Sequence, residues 1–172
     1  MIFLGRIERS IEIKAQPEKI WAIVFWDRVP EWFDIIKKVE HTSEIKDGLG
    51  ATAHVVAKAG GVNAEWNSEV SEWKENEKIA WHSTGGQVTM TSSMTCSPIK
   101  DGTKLTFEMD YDLPYSILGK IIDKLWVGKD IDESNERGMK KIRDFREIGI
   151  PKSLKTYRSQ SFKPVFGIAE KL

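Results

Sequence analysis

Three histidines, a single cysteine and a few tyrosines are the groups in this chain that could move a proton or attack a substrate. General acid or base work near neutral pH needs a titratable group beside the reacting atoms, and histidine is the usual one. Where each histidine points depends on strand register, because successive side chains of a strand alternate faces and the turns fix the pairing. His54 and His82 fall on the face that also carries Thr52, Lys58, Asn67, Glu69, Thr89, Thr91, Ser93 and Thr95. Glu69 stands opposite His82 and resembles an acid and base pair, although a solvated cross-strand contact is the simpler account. His41 depends on the turn after it. A three-residue Asp-Gly-Leu turn at 47–49 puts Val39, His41, Ser43 and Ile45 inward, whereas a two-residue Asp-Gly turn puts His41 outside. The inward version also buries Val39 and Ile45 and is preferred. His41, Tyr111 and Arg9 could then orient a ligand, the other reading of each being a satisfied core or rim position. No Ser/His/Asp set, phosphate-cradling loop or metal-ligand cluster can be read in the chain, and "GLGATA" lacks dinucleotide-binding spacing. No catalytic residue, metal or cofactor is therefore assigned, and Cys96 reads as a small buried hydrophobe rather than a nucleophile.

The elements that must hold these residues are legible in outline. "IERSIEIKA" alternates Ile7, Ile11 and Ile13 with Glu8, Ser10 and Glu12, the period of a half-buried strand. "QPEKIWAIVFW" follows with Pro17 at a first helical position, and a second short helix is expected from Pro30 in "VPEWFDIIKKV". From there to about residue 113, turn signals at "KDGLG", "AGG", "KENE", "TGGQ" and "SPIKDG" divide a meander of six strands. Beyond Pro114, Leu118, Ile122, Leu125, Met139, Ile142 and Phe145 recur at helical spacing. The intervening "GKDIDESNERG" is polar enough to predict a bend or an exposed stretch.

Centring the hairpins on Gly60-Gly61, Glu75-Asn76 and Gly85-Gly86, with no bulges assumed, gives one consistent register. It pairs Val55 with Trp66, Ala53 with Ser68, Val70 with Trp81, Glu72 with Ile79, Trp81 with Met90 and Ile79 with Ser92. One face then collects Ala51, Ala53, Val55, Ala57, Trp66, Ser68, Val70, Ile79, Trp81, Val88, Met90 and Met94. Leu105, Phe107, Met109, Tyr111 and Leu113 join it from the last strand. Such a division is what an antiparallel sheet with one buried and one solvated face requires. Trp73, an odd number of residues from Trp66, is expected to point outward. Alanines line one inner strand while tryptophans and methionines line its neighbours, so either a helix packs closely over the alanines or space is left there.

Composition narrows the partners. The 172 residues fit one domain, and 26 Lys plus Arg against 26 Asp plus Glu give no net charge to draw the chain to nucleic acid or a membrane surface. One cysteine excludes an internal disulfide. "MIFL" is cut short by Arg6, Glu8 and Arg9, so neither a signal peptide nor a membrane span is expected, and a cytoplasmic location is the default reading. The segment 147–172 is basic and aromatic, with Tyr157, Phe162 and Phe166 among its lysines. Its positive charge could bind nucleic acid or an anionic membrane, but it reads first as a tail that is solvated, folds back on the domain or meets a protein partner.

The order of strand, two short helices, six-strand meander and long helix resembles the helix-grip fold of the START-like, or Bet v 1-like, superfamily. Within it the chain most resembles the polyketide cyclase/dehydrase and lipid-transport families. "IEIKAQPEKIWAIV", "VPEWFDIIKKVE", "EWNSEVSEW", "KIAWHS", "GTKLTFEMDYDLP" and "ILGKIIDKL" carry the likeness, which covers about residues 5 to 146. It implies an α+β domain over 1–146, a curved antiparallel sheet of about seven strands wrapped around a long C-terminal helix. It also implies a hydrophobic cavity between sheet and helix. Trp66, Trp81, Met90, Phe107, Met109 and Tyr111 would line the cavity, with Ala53 and an inward His41 beside them, and Ile122 and Leu125 would roof it. Apolar walls suit a lipid-, isoprenoid- or polyketide-like ligand. The expected function is binding or transport of such a molecule. The alternatives are a polyketide cyclase or dehydratase acting through His41 or Tyr111, and a protein-interaction module.

Overall fold

The computed structural model describes residues 5–113 and the backbone of 124–147, with side chains over 126–146. The alternating stretch forms β1 (Gly5–Ile13). Pro17 then starts α1 (Pro17–Val24), which buries Ile20, Trp21, Ile23 and Val24. A 3-10 turn (Trp26–Arg28) leads into α2 (Val29–Trp32), a single turn that buries Val29 and Trp32. The meander follows as β2 (Ile36–His41), β3 (Thr52–Ala59), β4 (Val62–Lys74), β5 (Lys78–Gly86), β6 (Thr89–Ile99) and β7 (Gly102–Asp112). The strand order is β1-β7-β6-β5-β4-β3-β2, antiparallel throughout, so β1 closes beside the last strand of the meander. Against this sheet lies α3 (Lys124–Glu147). The result is a seven-stranded curled antiparallel sheet with a long helix and two short helices between its first two strands, an α+β fold.

The predicted faces hold except at Trp73, while the pairing departs from a uniform register between β5 and β6 and within the β4–β5 pair, at Asn67/Ser68 and at Val70/Glu72. Val55 pairs with Trp66, Ala53 with Ser68 and Val70 with Trp81 as the turns require. From Ala51 onward every residue assigned to the inner face is buried except Leu113, which is half-buried. β5, however, pairs with β6 two residues further along than a Gly85-Gly86 turn predicts, joining Trp81 to Ser92 and Ile79 to Met94. The cause is that β5 overshoots the glycines: Gly86 still pairs with Trp66, and the Gln87 amide donates to the Glu65 carbonyl at 2.8 Å. A shift of two preserves side-chain parity.

The second difference changes a face. A bulge at Ser71 lets Ile79 pair with Trp73 instead of Glu72. One extra residue reverses the alternation beyond it. Trp73 therefore turns inward, contrary to expectation, and stacks on Phe25 at 5.3 Å with the Trp21 ring edge-on at 5.4 Å.

The polar middle of α3 neither bends nor leaves the protein. Val127, Ile131, Ser134, Asn135, Met139 and Ile142 form a buried stripe at helical spacing, and Lys129 to Glu133 and Lys140 to Glu136 pair one turn apart outside it. Close approach holds the helix in place. At Gly138 a Cβ would lie 2.5 Å from the Trp32 carbonyl oxygen. Gly60 and Gly61, with φ of +55° and +82°, make the tight β3–β4 turn, and the Gly60 amide donates to Asp130 Oδ2 at 2.7 Å. Among the described residues no helix is long and apolar enough to cross a membrane.

Candidate ligand cavity behind the curled sheet

Among the described residues, the uneven inner face borders two voids. The larger, about 70 Å³, is walled on one side by Trp26, Val29, Trp32, Phe33, Ile35, Ile36 and Val39. Val55, Trp66, Ser68, Trp81, Met90, Ser92, Phe107 and Met109 of the sheet form its other side. The smaller, about 50 Å³, lies over the alanines Ala57, Ala59 and Ala64 and is covered by Val127 and Ile131 of α3. Trp66, Ile35 and Met109 border both voids and so form the partition between them.

The larger void lies between the 26–39 segment and the sheet, and the smaller one between the sheet and α3. The second short helix expected in "VPEWFDII" doubles as a cavity wall, and its density of large apolar residues is the signal of that in the sequence. The segment is tied down from outside. Asp34 accepts hydrogen bonds from Ser134 Oγ and from Arg137 Nε, the latter at 3.0 Å. Burial pushes the Asp34 carboxyl upward, but the hydrogen bonds and charge of Arg137, with Ser134, outweigh it and hold the group below its ordinary value.

Of the residues singled out beforehand, Trp66, Trp81, Met90, Phe107 and Met109 meet at the larger void. Tyr111 lies at the smaller, its ring over Gly5 of β1, where a Cβ would come within 2.3 Å of the ring. Burial, aided by the negative charge of Asp132, raises the Tyr111 phenol above its ordinary value. Ala53 is fully buried on the inner face and borders neither void. Ile122 and the Leu125 side chain lie outside the described residues, as does the segment 148–172.

His41 is on the inner side of β2, opposite Ala53. The three-residue turn is not what places it there. A ten-residue connection, 42–51, follows β2, and it leaves Ile45 and Leu49 exposed, so Ile45 is not inward as expected. His41 Nε2 lies 2.6 Å from Asp27 Oδ1, and its buried Nδ1 has no hydrogen-bond partner. The ring stands 6.1 Å from that of Trp26, a wall residue, without bordering the void itself. Arg9 is engaged elsewhere, donating from Nε and Nη2 to the two Asp132 oxygens at 3.0 and 2.6 Å. His54 faces solvent with Asn67 and Glu65, and His82 pairs in register with Glu69 on the same face. Cys96 is buried, and desolvation pushes its thiol up to about 11.

The polar groups at the larger void are few. Ser68 Oγ donates to the His82 carbonyl at 3.1 Å, and Trp32 Nε1 donates to the Ile23 carbonyl at 3.1 Å. The indole nitrogens of Trp66 and Trp81 are buried without a hydrogen-bond partner. None of the described residues around this void titrates near neutral pH, and among the described residues no group of three or more His, Cys, Asp or Glu could hold a metal ion.

A curled antiparallel sheet gripping a long helix, with apolar space between sheet and helices, is the architecture of the START-like, Bet v 1-like class. Solved structures share it: a START superfamily protein from Mycobacterium smegmatis is 19% identical with a TM-score of 0.66, covering 83% of this chain and 97% of that one. Ginseng major latex-like protein 151 from Panax ginseng is 14% identical with a TM-score of 0.58, covering 81% and 97%. The family model described as polyketide cyclase / dehydrase and lipid transport matches residues 5–144, and the chain belongs to that family. Among curated proteins it is similar to an uncharacterised 17.2 kDa protein of Streptomyces lincolnensis, 28% identical over 123 residues, which are 71% of this chain and 78% of that one.

Proposed function

We propose that the protein binds a small, mainly apolar molecule behind its sheet and carries or senses it. The observation that supports this most directly is the larger void, walled by aromatic, aliphatic and methionine side chains with no group that titrates near neutral pH among its described residues. The family description, which names lipid transport beside polyketide cyclases and dehydrases, is in keeping with it. Both voids are far below the roughly 300–1,000 Å³ of drug-sized ligand sites. Binding therefore goes with displacement of wall residues, and Met90 and Met109, unbranched and adaptable, are suited to that.

Native mass spectrometry of protein purified from its own source, with organic extraction of what is retained, tests the reading. A stoichiometric apolar molecule is expected. An empty protein that also takes up no lipid, isoprenoid or polyketide probe would overturn it in favour of a protein-interaction role for the outer face and residues 147–172.

A catalytic reading has one observation in its favour, the His41–Asp27 pair with its unpartnered buried Nδ1. In that reading His41 is the proton carrier, held by Asp27 as histidines in catalytic pairs are. Cyclisation or dehydration of a poly-keto probe, abolished in His41→Gln with probe binding intact, is the outcome it requires.

A further inference from the structure

Two tryptophans in the cavity wall have hydrogen-bond capacity that the protein does not use. Trp66 and Trp81 are 6% and 5% exposed, both border the larger void, and both indole nitrogens are buried with no partner. An indole N–H can only donate, and buried donors are almost always paired in folded proteins. Trp32, in the same wall, shows the ordinary solution, since its N–H reaches the Ile23 carbonyl. We infer that Trp66 and Trp81 are the specificity-determining donors of this cavity, and that its ligand is a neutral apolar molecule presenting acceptor oxygens, such as ketone or ester carbonyls, to their indole N–H groups.

The sign of the ligand's charge follows from the same wall. An ionised carboxylate or phosphate buried there would need a compensating cation. The described residues around the void include none, and the nearby Arg9 is bound to Asp132. A plain hydrocarbon would fill the space and leave both donors unmet. A neutral carbonyl compound satisfies both conditions.

This inference rests on the ligand-binding reading above, and matched probes separate the two. The full chain is titrated with 1-indanone and with indane, which share a ring system and differ by one carbonyl, and with the larger pair 2-undecanone and undecane. Affinity and the ¹H–¹⁵N resonances of the tryptophan side chains are followed together. The ketones are expected to bind about tenfold more tightly per donor engaged, and to move the Trp66 and Trp81 N–H resonances downfield. Trp66→Phe and Trp81→Phe should reduce that preference. Trp21→Phe should not, since its equally unpartnered N–H borders neither void. Equal binding of ketone and hydrocarbon with unmoved indole resonances overturns the inference and leaves the binding reading standing. No binding of any of the four probes counts against both. Because the wild-type resonances are read directly, a variant that fails to fold leaves the outcome decided.

Discussion

Alkylation of a cysteine requires its thiolate, and at pH 8 the Cys96 thiol, pushed up to about 11 by burial, supplies almost none. Iodoacetamide should therefore label the native protein no faster than the protein opens, with labelling accelerating as urea is added. A native rate matching that of a free peptide thiol would show the site to be accessible. The same shift couples to stability. The folded thiol holds its proton more tightly than the unfolded one at about 9.0, so this contribution is intact below pH 9 and is lost as pH rises toward 11. Asp34 has the opposite sign, its folded pKa being lowered, so its contribution is present above the unfolded carboxylate value and fades as pH falls through the folded one. Asp34→Asn should lower unfolding stability at pH 7 by about 0.5–1 kcal/mol, the pair with Arg137 being partly exposed. Urea denaturation at pH 7 and pH 3.5 checks this, the variant showing the smaller loss between them.

The β3–β4 turn brings a strand pair and a helix to one point. Gly60→Ala would place a Cβ 2.8 Å from Val127 Cγ2 on a backbone with φ of +55°. Strain and overpacking together should cost about 1–3 kcal/mol, measured as a lower urea midpoint with an unchanged slope. At this scale the sequence is informative in an uneven way. The glycines of the turn, the proline of α1 and the alternation of β3 to β7 state their roles through backbone sterics and side-chain period, so the faces and the inward placement of Trp66 and Trp81 were legible. The bulge at Ser71 was not, because one unpaired residue leaves no mark on composition, and it alone decides where Trp73 points. The wall formed by Trp26 to Val39 was hidden differently. Its residues have the same character whether they fill a core or border a space, and only the position of α2 against α3, set by Gly138 over Trp32, distinguishes the two.

Across the body of the molecule, Trp66, Ile35 and Met109 stand between the two small voids behind the sheet. Met109→Ala should join them, and the shortened side chain should lower stability by about 2–5 kcal/mol. An apolar ligand at a hundred times its Kd returns about 2.7 kcal/mol by mass action. Its stabilising effect should be larger in the variant than in the wild type, because the merged chamber needs less rearrangement. Thermal melts with and without ligand check this, and an equal or smaller shift in the variant would mean that Met109 does not limit capacity. The strand order carries a different consequence. β1 pairs with β7, Gly5 with Tyr111 and Ile13 with Thr103, so among the described residues this strand finds its one strand partner about a hundred residues later. On a ribosome adding roughly 5–20 residues per second, that strand waits on the order of 5–20 s as an unpaired edge. Arg6, Glu8 and Glu12 alternate with its isoleucines, and their charges guard a nascent strand against joining another chain before its own partner has been made.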